Sequence, residues 1–277
     1  MDFYFPKSPH VSYICRKNSM KPYIFEEEEP KKVFIPKIPK LKFEDLILFE
    51  NEDYVVINKP SNLSSSEERN ADKPHNVKGL AKTYLEDPQL CHRLDKETSG
   101  VLAIAKHPEA YRHLSIQFEH RKVTKRYHAV VNGVHDFDGV SVNLPIEKMG
   151  NGTHVRIDRA NGKPAETIFF VHKAYRFHSI VECLPITGRM HQIRIHLQCL
   201  KAPIVNDPTY GGEPIYLSQL KRKFNIKKNT EEEALIKRVA LHAYSLTFSL
   251  LNGESITVES PYPKDFEVLV KQLEKFG

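Results

Sequence analysis

Residues 91–106 read Cys91-His92-Arg93-Leu94-Asp95-Lys96-Glu97-Thr98-Ser99-Gly100-Val101-Leu102-Ala103-Ile104-Ala105-Lys106. A polar stretch gives way without a linker to an apolar run from Val101 to Ala105, a length and composition that predict a strand buried on both faces. A carboxylate and an arginine are thereby set at the start of a buried strand, a common position for an active site. Read alone, the same segment is also an ordinary turn in which Asp95 caps a backbone N–H.

Working outward, Tyr54-Val55-Val56-Ile57 predicts a short apolar strand ended by Asn58-Lys59-Pro60. Residues 61–76, rich in Ser, Asn, Glu and Asp, read as a loop. Pro108 can open a helix whose apolar face is Ala110, Leu114 and Phe118. Tyr127, Ala129 and Val131 alternate as a strand ending at Asn132-Gly133, and residues 167–171, 179–184 and 246–251 also read as strands. Asn252-Gly253 predicts a two-residue hairpin turn with both positions at positive φ. Numerous hairpin-linked strands predict an α/β (α+β) fold with a mixed, mostly antiparallel central sheet flanked by helices and loops.

Residues 1–43 differ from the rest. They carry Pro6, Pro9, Pro22, Pro30, Pro36 and Pro39, and an acidic run at residues 26–29. Prolines this frequent forbid a long helix and lack ladder donors, while the aromatic residues argue for packing, so an arm laid over a main domain at residues 44–277 is expected.

The chain has 277 residues, 41 Lys and Arg against 35 Asp and Glu, and a net charge of +6. With 40% hydrophobic and 27% charged residues it is a globular composition, not collagen, a coiled coil or a disordered tail. The basic excess suggests a polyanion partner. Cys15, Cys91, Cys183 and Cys199 are scattered without zinc-ligand spacing and read as free buried thiols in a reducing compartment. No export signal and no apolar run of membrane-spanning length is visible, so a cytoplasmic monomer without metal or cofactor is expected.

Two further segments are candidates for chemistry. In Pro185-Ile186-Thr187-Gly188-Arg189-Met190-His191-Gln192-Ile193-Arg194-Ile195-His196-Leu197, the residues Met190, Ile193, Leu197 and Leu200 take helical spacing as a core face. His191, Arg194, Gln198 and Lys201 then share a polar neighbouring face, which suits a phosphate or carboxylate or is simply solvated. The segment Lys122-Val123-Thr124-Lys125-Arg126-Tyr127-His128 lies in a locally basic region, and residues 221–228 add a second basic cluster. Such patches attract phosphates, and interleaved aromatics can stack on unpaired bases.

Taken together, His92-Arg93-Leu94-Asp95-x-x-Thr98-Ser99-Gly100, Lys125-Arg126-Tyr127-x-Ala129 and Gly188-Arg189-x-His191-Gln192-Ile193-Arg194-x-His196-Leu197 resemble the signature of the RluA-type pseudouridine synthases. Val56-Ile57-Asn58-Lys59-Pro60 and Leu241-His242-Ala243-x-x-Leu246-x-Phe248 agree with it, so that the likeness covers about residues 44–260. The resemblance implies the pseudouridine synthase fold and a cofactor-free isomerisation of uridine in structured RNA, ribosomal RNA being favoured over transfer RNA. It implies that Asp95 is the essential carboxylate, acting as nucleophile on sugar or base or else by a glycal route, with Arg194 as its ion-pair partner. By the same resemblance Tyr127 stacks on the uracil and assists proton removal from its carbon 5, and Arg93 fills the space the flipped base leaves. His92, Arg189, His191, Lys125 and Arg126 are then the expected RNA-binding residues. Residues 61–68 depart from the family's G-x-x-V-H-P-like stretch, and the arm is too short and irregular for the family's small RNA-binding domain.

Two other readings compete. One is a catalytically silent RNA-binding or ribosome-assembly protein, against which a carboxylate in a phosphate-rich groove argues. The other is a hydrolase using Asp95 and Glu97 as paired carboxylates on one strand face.

Overall fold

The computed structural model describes residues 41–65, 76–150, 152–225 and 231–277. Residues 1–40 of the arm expected at 1–43, the middle of the 61–76 loop and the basic pair Lys227 and Lys228 lie outside the described residues. The compact unit runs from Leu41 to Gly277. Phe43, assigned above to the arm, is fully buried against Val55, Ile57 and Leu102.

In chain order the elements are β1 (Ile47–Glu50), β2 (Tyr54–Lys59), α1 (Val77–Ala81), β3 (Gln89–Leu90), β4 (Ser99–Ala105), α2 (Pro108–Glu119) and β5 (Thr124–Asn132). There follow β6 (Val140–Asn143), β7 (Ile146–Met149), β8 (His154–Ile157), β9 (Glu166–Ala174), β10 (His178–Pro185) and α3 (Gln192–Cys199). The chain closes with α4 (Leu217–Leu220), β11 (Leu241–Ser249), β12 (Ser255–Glu259) and α5 (Lys264–Phe276).

The main sheet runs β1-β2-β4-β11-β5-β10-β9-β6, with β12 added to β11 and β3 to β4; β7 and β8 form a separate hairpin. Every pairing in it is antiparallel except β4 with β11, so the mostly antiparallel expectation holds. All seven residues of β4 are buried, because β2 and β11 flank it and both faces carry core. Pro108 opens α2 as expected, and Ala110 and Leu114 are its buried face.

The parallel junction is short, pairing His242 with Ser99 and Ala243 with Gly100. Gly100 sits there at φ +115°, and a Cβ would lie 2.1 Å from the Ala243 carbonyl oxygen, so only glycine fits. The Ser99 hydroxyl donates to Nδ1 of His242, whose Nε2–H goes to the Ser260 carbonyl.

Three expectations are corrected. Between β11 and β12 the Leu250 N–H donates to the Glu254 carbonyl and the Gly253 N–H to the Leu250 carbonyl, so the turn itself holds three residues, 251–253; only Gly253 has positive φ, the pattern of a type I turn with a bulge. Helix α3 spans only residues 192–199, so Lys201 lies beyond it, and Arg194, read as facing a phosphate or carboxylate or else solvent, is buried against the Asp207 carboxylate. Cys183 is buried, but Cys199 is exposed at the end of α3.

Gly100→Ala should therefore cost on the order of 3 kcal/mol or more, read as a lower urea midpoint. Stability should also fall with acid. Burial holds His128 and His242 neutral, with pKa values down to about 4 from 6.5. Between those values the unfolded chain binds the proton and the folded chain does not, so each residue removes up to about 1.4 kcal/mol of stability per pH unit as pH drops from 6.5 toward 4. Urea midpoints at pH 7 and pH 5 check the sign.

Candidate active site

The turn carrying Asp95 is fastened through its backbone. Leu94 is held at both ends of its peptide group by Ser65, whose hydroxyl donates to the Leu94 carbonyl (2.8 Å) and accepts its N–H (3.1 Å). The Thr98 N–H closes the turn on the Asp95 carbonyl. Below it, the fully buried Lys59 ammonium donates to the carbonyls of Pro60 (2.9 Å), Leu63 (2.7 Å) and Lys96 (3.2 Å). Burial, with Arg238 nearby, draws the Lys59 pKa down to about 7, while Asp95 pulls the other way. Arg238, also buried, gives one N–H to the Glu97 carbonyl at 3.2 Å and forks onto Asp265 of α5 at 2.7 and 3.1 Å. Glu97 is thus in a turn and does not line the cleft with Asp95, so the paired-carboxylate geometry of a hydrolase is absent.

Above the turn lies a cleft of about 990 Å³. Asp95, Tyr127, Arg194, His92, Arg93, Lys125, Arg189 and His191 all line it. Arg126 does not. Side chains alternate along β5, so Lys125 and Tyr127 face the cleft while Arg126 and His128 emerge on the reverse side, where Arg126 meets Glu182 at 3.2 Å. The lining carries Arg93, Arg121, Lys125, Lys148, Lys163, Arg189 and Arg194 against Asp95, Glu119 and Glu147, so the cleft is basic around its central carboxylate. Among the described residues no group of three or more His, Cys, Asp or Glu side chains is placed to hold a metal ion.

Asp95 Oδ2 is 4.0 Å from both Nη1 of Arg194 and Nε2 of His191, with Asp95 31% exposed, Arg194 7% and His191 15%. Arg194 is not primarily bound to Asp95. Its Nε and Nη2 fork onto the fully buried Asp207, both at 2.7 Å, leaving Nη1 turned toward Asp95. Burial opposes the guanidinium's charge, and Asp207 with Asp95 more than offsets it, so the pKa rises.

The turn before α3 positions these groups. Gln192 accepts from the Thr187 hydroxyl (2.7 Å) and the Arg189 N–H (2.9 Å) and donates to the Glu166 carbonyl and the Thr167 hydroxyl. His191 caps the helix at φ 51°, a left-handed conformation uncommon for a non-glycine residue, and its Nδ1 is 3.0 Å from the Tyr210 hydroxyl.

The other lining residues are constrained as well. Nε2 of His92 accepts the Ala103 N–H at 3.0 Å, which fixes its proton on Nδ1, and the ring packs on Phe118; burial and Lys125 push its pKa down to about 3. Lys125 donates to the Thr187 carbonyl, and burial lowers its pKa to about 8. Burial and the charge of Asp95 raise the Tyr127 phenol above its ordinary 10, so it is protonated at neutral pH.

The reading from residues alone missed Asp207, Tyr210 and Arg238. A signal for the first two was present: Asp207-Pro208-Thr209-Tyr210-Gly211-Gly212 is a dense turn sequence bearing an acid just past a segment of two arginines and two histidines without one.

The chain matches the family model described as RNA pseudouridylate synthase over residues 53–199. It is 33% identical over 258 residues to ribosomal large subunit pseudouridine synthase C of Buchnera aphidicola, covering 91% of this chain and 78% of that protein. The Escherichia coli protein of the same name is 34% identical over 260 residues, covering 89% and 75%. Among solved structures, the human RNA pseudouridylate synthase domain containing 4 superposes with a TM-score of 0.62 at 26% identity, over 83% of this chain and 94% of that one. The human domain containing 1 gives 0.59 at 25%, over 79% and 83%. A basic cleft built around one carboxylate, the antiparallel sheet beneath it and these likenesses converge: the chain belongs to the RNA pseudouridylate synthase family, isomerases acting on RNA, and to its RluA-type members.

Proposed function

We propose that this protein converts uridine to pseudouridine in large-subunit ribosomal RNA, with Asp95 as the essential carboxylate. The single observation that carries the assignment is the placement of Asp95 in a basic cleft with Arg194 and His191 each 4.0 Å from the same oxygen and Tyr127 in the same lining. The substrate preference follows the printed names of the bacterial relatives.

The chemistry fits these groups. The uridine leaves its stack at a cost of a few kcal/mol and enters the cleft, where the Tyr127 ring offers a face for the uracil. Its N1–C1′ bond breaks, the base turns, and a C5–C1′ bond forms; one proton leaves C5 and one joins N1, so reactant and product are isomers. Asp95 serves best ionised and unencumbered. A carboxylate gripped by both prongs of an arginine has its oxygens engaged. Asp207 takes that grip instead, so Arg194 supplies charge to Asp95 without tying it down. Arg93, Lys125 and Arg189 face the phosphates around the flipped nucleotide, and the remaining basic rim gives sequence-independent affinity.

Pseudouridine mapping of cells lacking the gene should show at least one large-subunit site lost, restored by the wild-type gene and not by Asp95→Asn. The purified Asp95→Asn protein should keep its RNA affinity within a few fold. Loss confined to transfer RNA would move the substrate, and no changed uridine in either RNA would overturn the function. Arg194→Ala leaves Asp207 buried and unpaired, so it should cost about 3–5 kcal/mol in urea unfolding as well as most of the turnover; unchanged stability and rate would reject the Asp207–Arg194–Asp95 arrangement.

A further inference from the structure

We propose that His191 is the catalytic base that takes the proton from C5 of the turned uracil. The inference rests on the pseudouridine synthase reading and assigns a group to one step of it.

The reaction demands a proton acceptor close to Asp95. Once the C5–C1′ bond exists, C5 carries both the sugar and a hydrogen. The C5–H bond must then break, its electron pair closing the C5=C6 double bond. Wherever Asp95 engages the nucleotide, C5 lies within a few bonds of that point. Among the described residues, Tyr127, Lys125 and His191 line that space with a proton exchangeable near neutrality or above, and Lys125 is turned to the Thr187 carbonyl, to which its ammonium donates. Tyr127 is a weak candidate, because burial and the Asp95 charge keep its phenol protonated. His92, also in the cleft, has its Nε2 lone pair committed to the Ala103 N–H.

His191 is built differently. Its Nε2 is the ring atom turned to Asp95, at 4.0 Å, too far for a hydrogen bond that would occupy the lone pair. Its Nδ1 meets the Tyr210 hydroxyl at 3.0 Å, a partner able to donate or to accept. With Nδ1–H given to Tyr210, Nε2 is a free base facing the cleft; after proton transfer the ring donates on both sides. The ring is locked in this pose by a left-handed backbone and by the T-shaped packing of Tyr210, centroids 5.7 Å apart. The charged and titratable groups around it are Asp95, Arg194, Asp207, His154 and Tyr210. Burial, most of all, and the nearby Arg194 favour the neutral ring, while Asp95 and Asp207 support the imidazolium; the balance lowers the pKa from 6.5. A neutral resting base with two carboxylates near its protonated form suits the step. The imidazolium then passes its proton to water, and N1 of the turned base takes one from water, so the atoms balance.

His191→Asn tests this. Asparagine tolerates the left-handed conformation and keeps a polar atom near Tyr210, so the variant should fold. On a large-subunit RNA fragment carrying tritium at uracil C5, tritium release by the full-length variant should slow by about 10²-fold or more, with KM for the RNA within a few fold. On the same fragment made with 5-fluorouridine, which has no C5 proton to lose, consumption of 5-fluorouridine should stay near the wild-type rate. The wild-type tritium-release rate should decline below pH 6.5, and the residual rate of the variant should lack that limb. Equal slowing on both RNAs, or no slowing on either, would overturn the assignment. A wild-type protein that releases no tritium from any RNA would instead overturn the function itself.

Discussion

The arrangement depends on two buried cations that hold a turn by its backbone. Lys59 and Arg238 reach the Lys96 and Glu97 carbonyls from beneath, so that the residue just before them presents its carboxylate upward into the cleft. Neither cation spends a hydrogen bond on the Asp95 side chain. Burying a lysine and an arginine is costly unless their donors are satisfied. Lys59 meets three carbonyl oxygens, and Arg238 meets three more together with Asp265. A turn held this way has little freedom to follow its own side chain, which is what a reacting carboxylate needs from its support.

The same separation of holding from acting recurs on the opposite wall. Asp207 holds Arg194, Gln192 holds the turn before α3, and Tyr210 holds His191; Arg194 and His191 then face Asp95 with one polar atom each uncommitted to that scaffold. Each of these supports is a buried polar group with its partners present, so the site is stiff where it is hidden and open where the substrate arrives.

The sheet was legible because its signals are local. The apolar run at residues 101–105, the turn at Asn132-Gly133 and Pro108 with its apolar spacing each announce an element without help from elsewhere. Most of the cleft was legible too, through a family resemblance in which spacing substitutes for unseen geometry. What escaped was set by distant partners. No period along the chain tells that Arg194 leans on Asp207, or that Arg238 reaches Glu97 across 141 positions. Arg126 failed for a simpler reason: it neighbours Tyr127 in sequence, and a pleated strand sends neighbours to opposite faces. The hairpin at Asn252-Gly253 was found but miscounted, since the same dipeptide closes two- and three-residue loops.

The parallel contact between the start of β4, at Ser99 and Gly100, and the start of β11, at His242 and Ala243, has a temporal meaning. A ribosome making this chain completes Asp95 well before Arg238 and Asp265. Until those two residues emerge, the carboxylate's turn lacks one of its two anchors and its strand lacks a neighbour. Contacts so far apart along the chain also form slowly. The support of the Asp95 turn is therefore completed only once Arg238 and Asp265 have joined the fold.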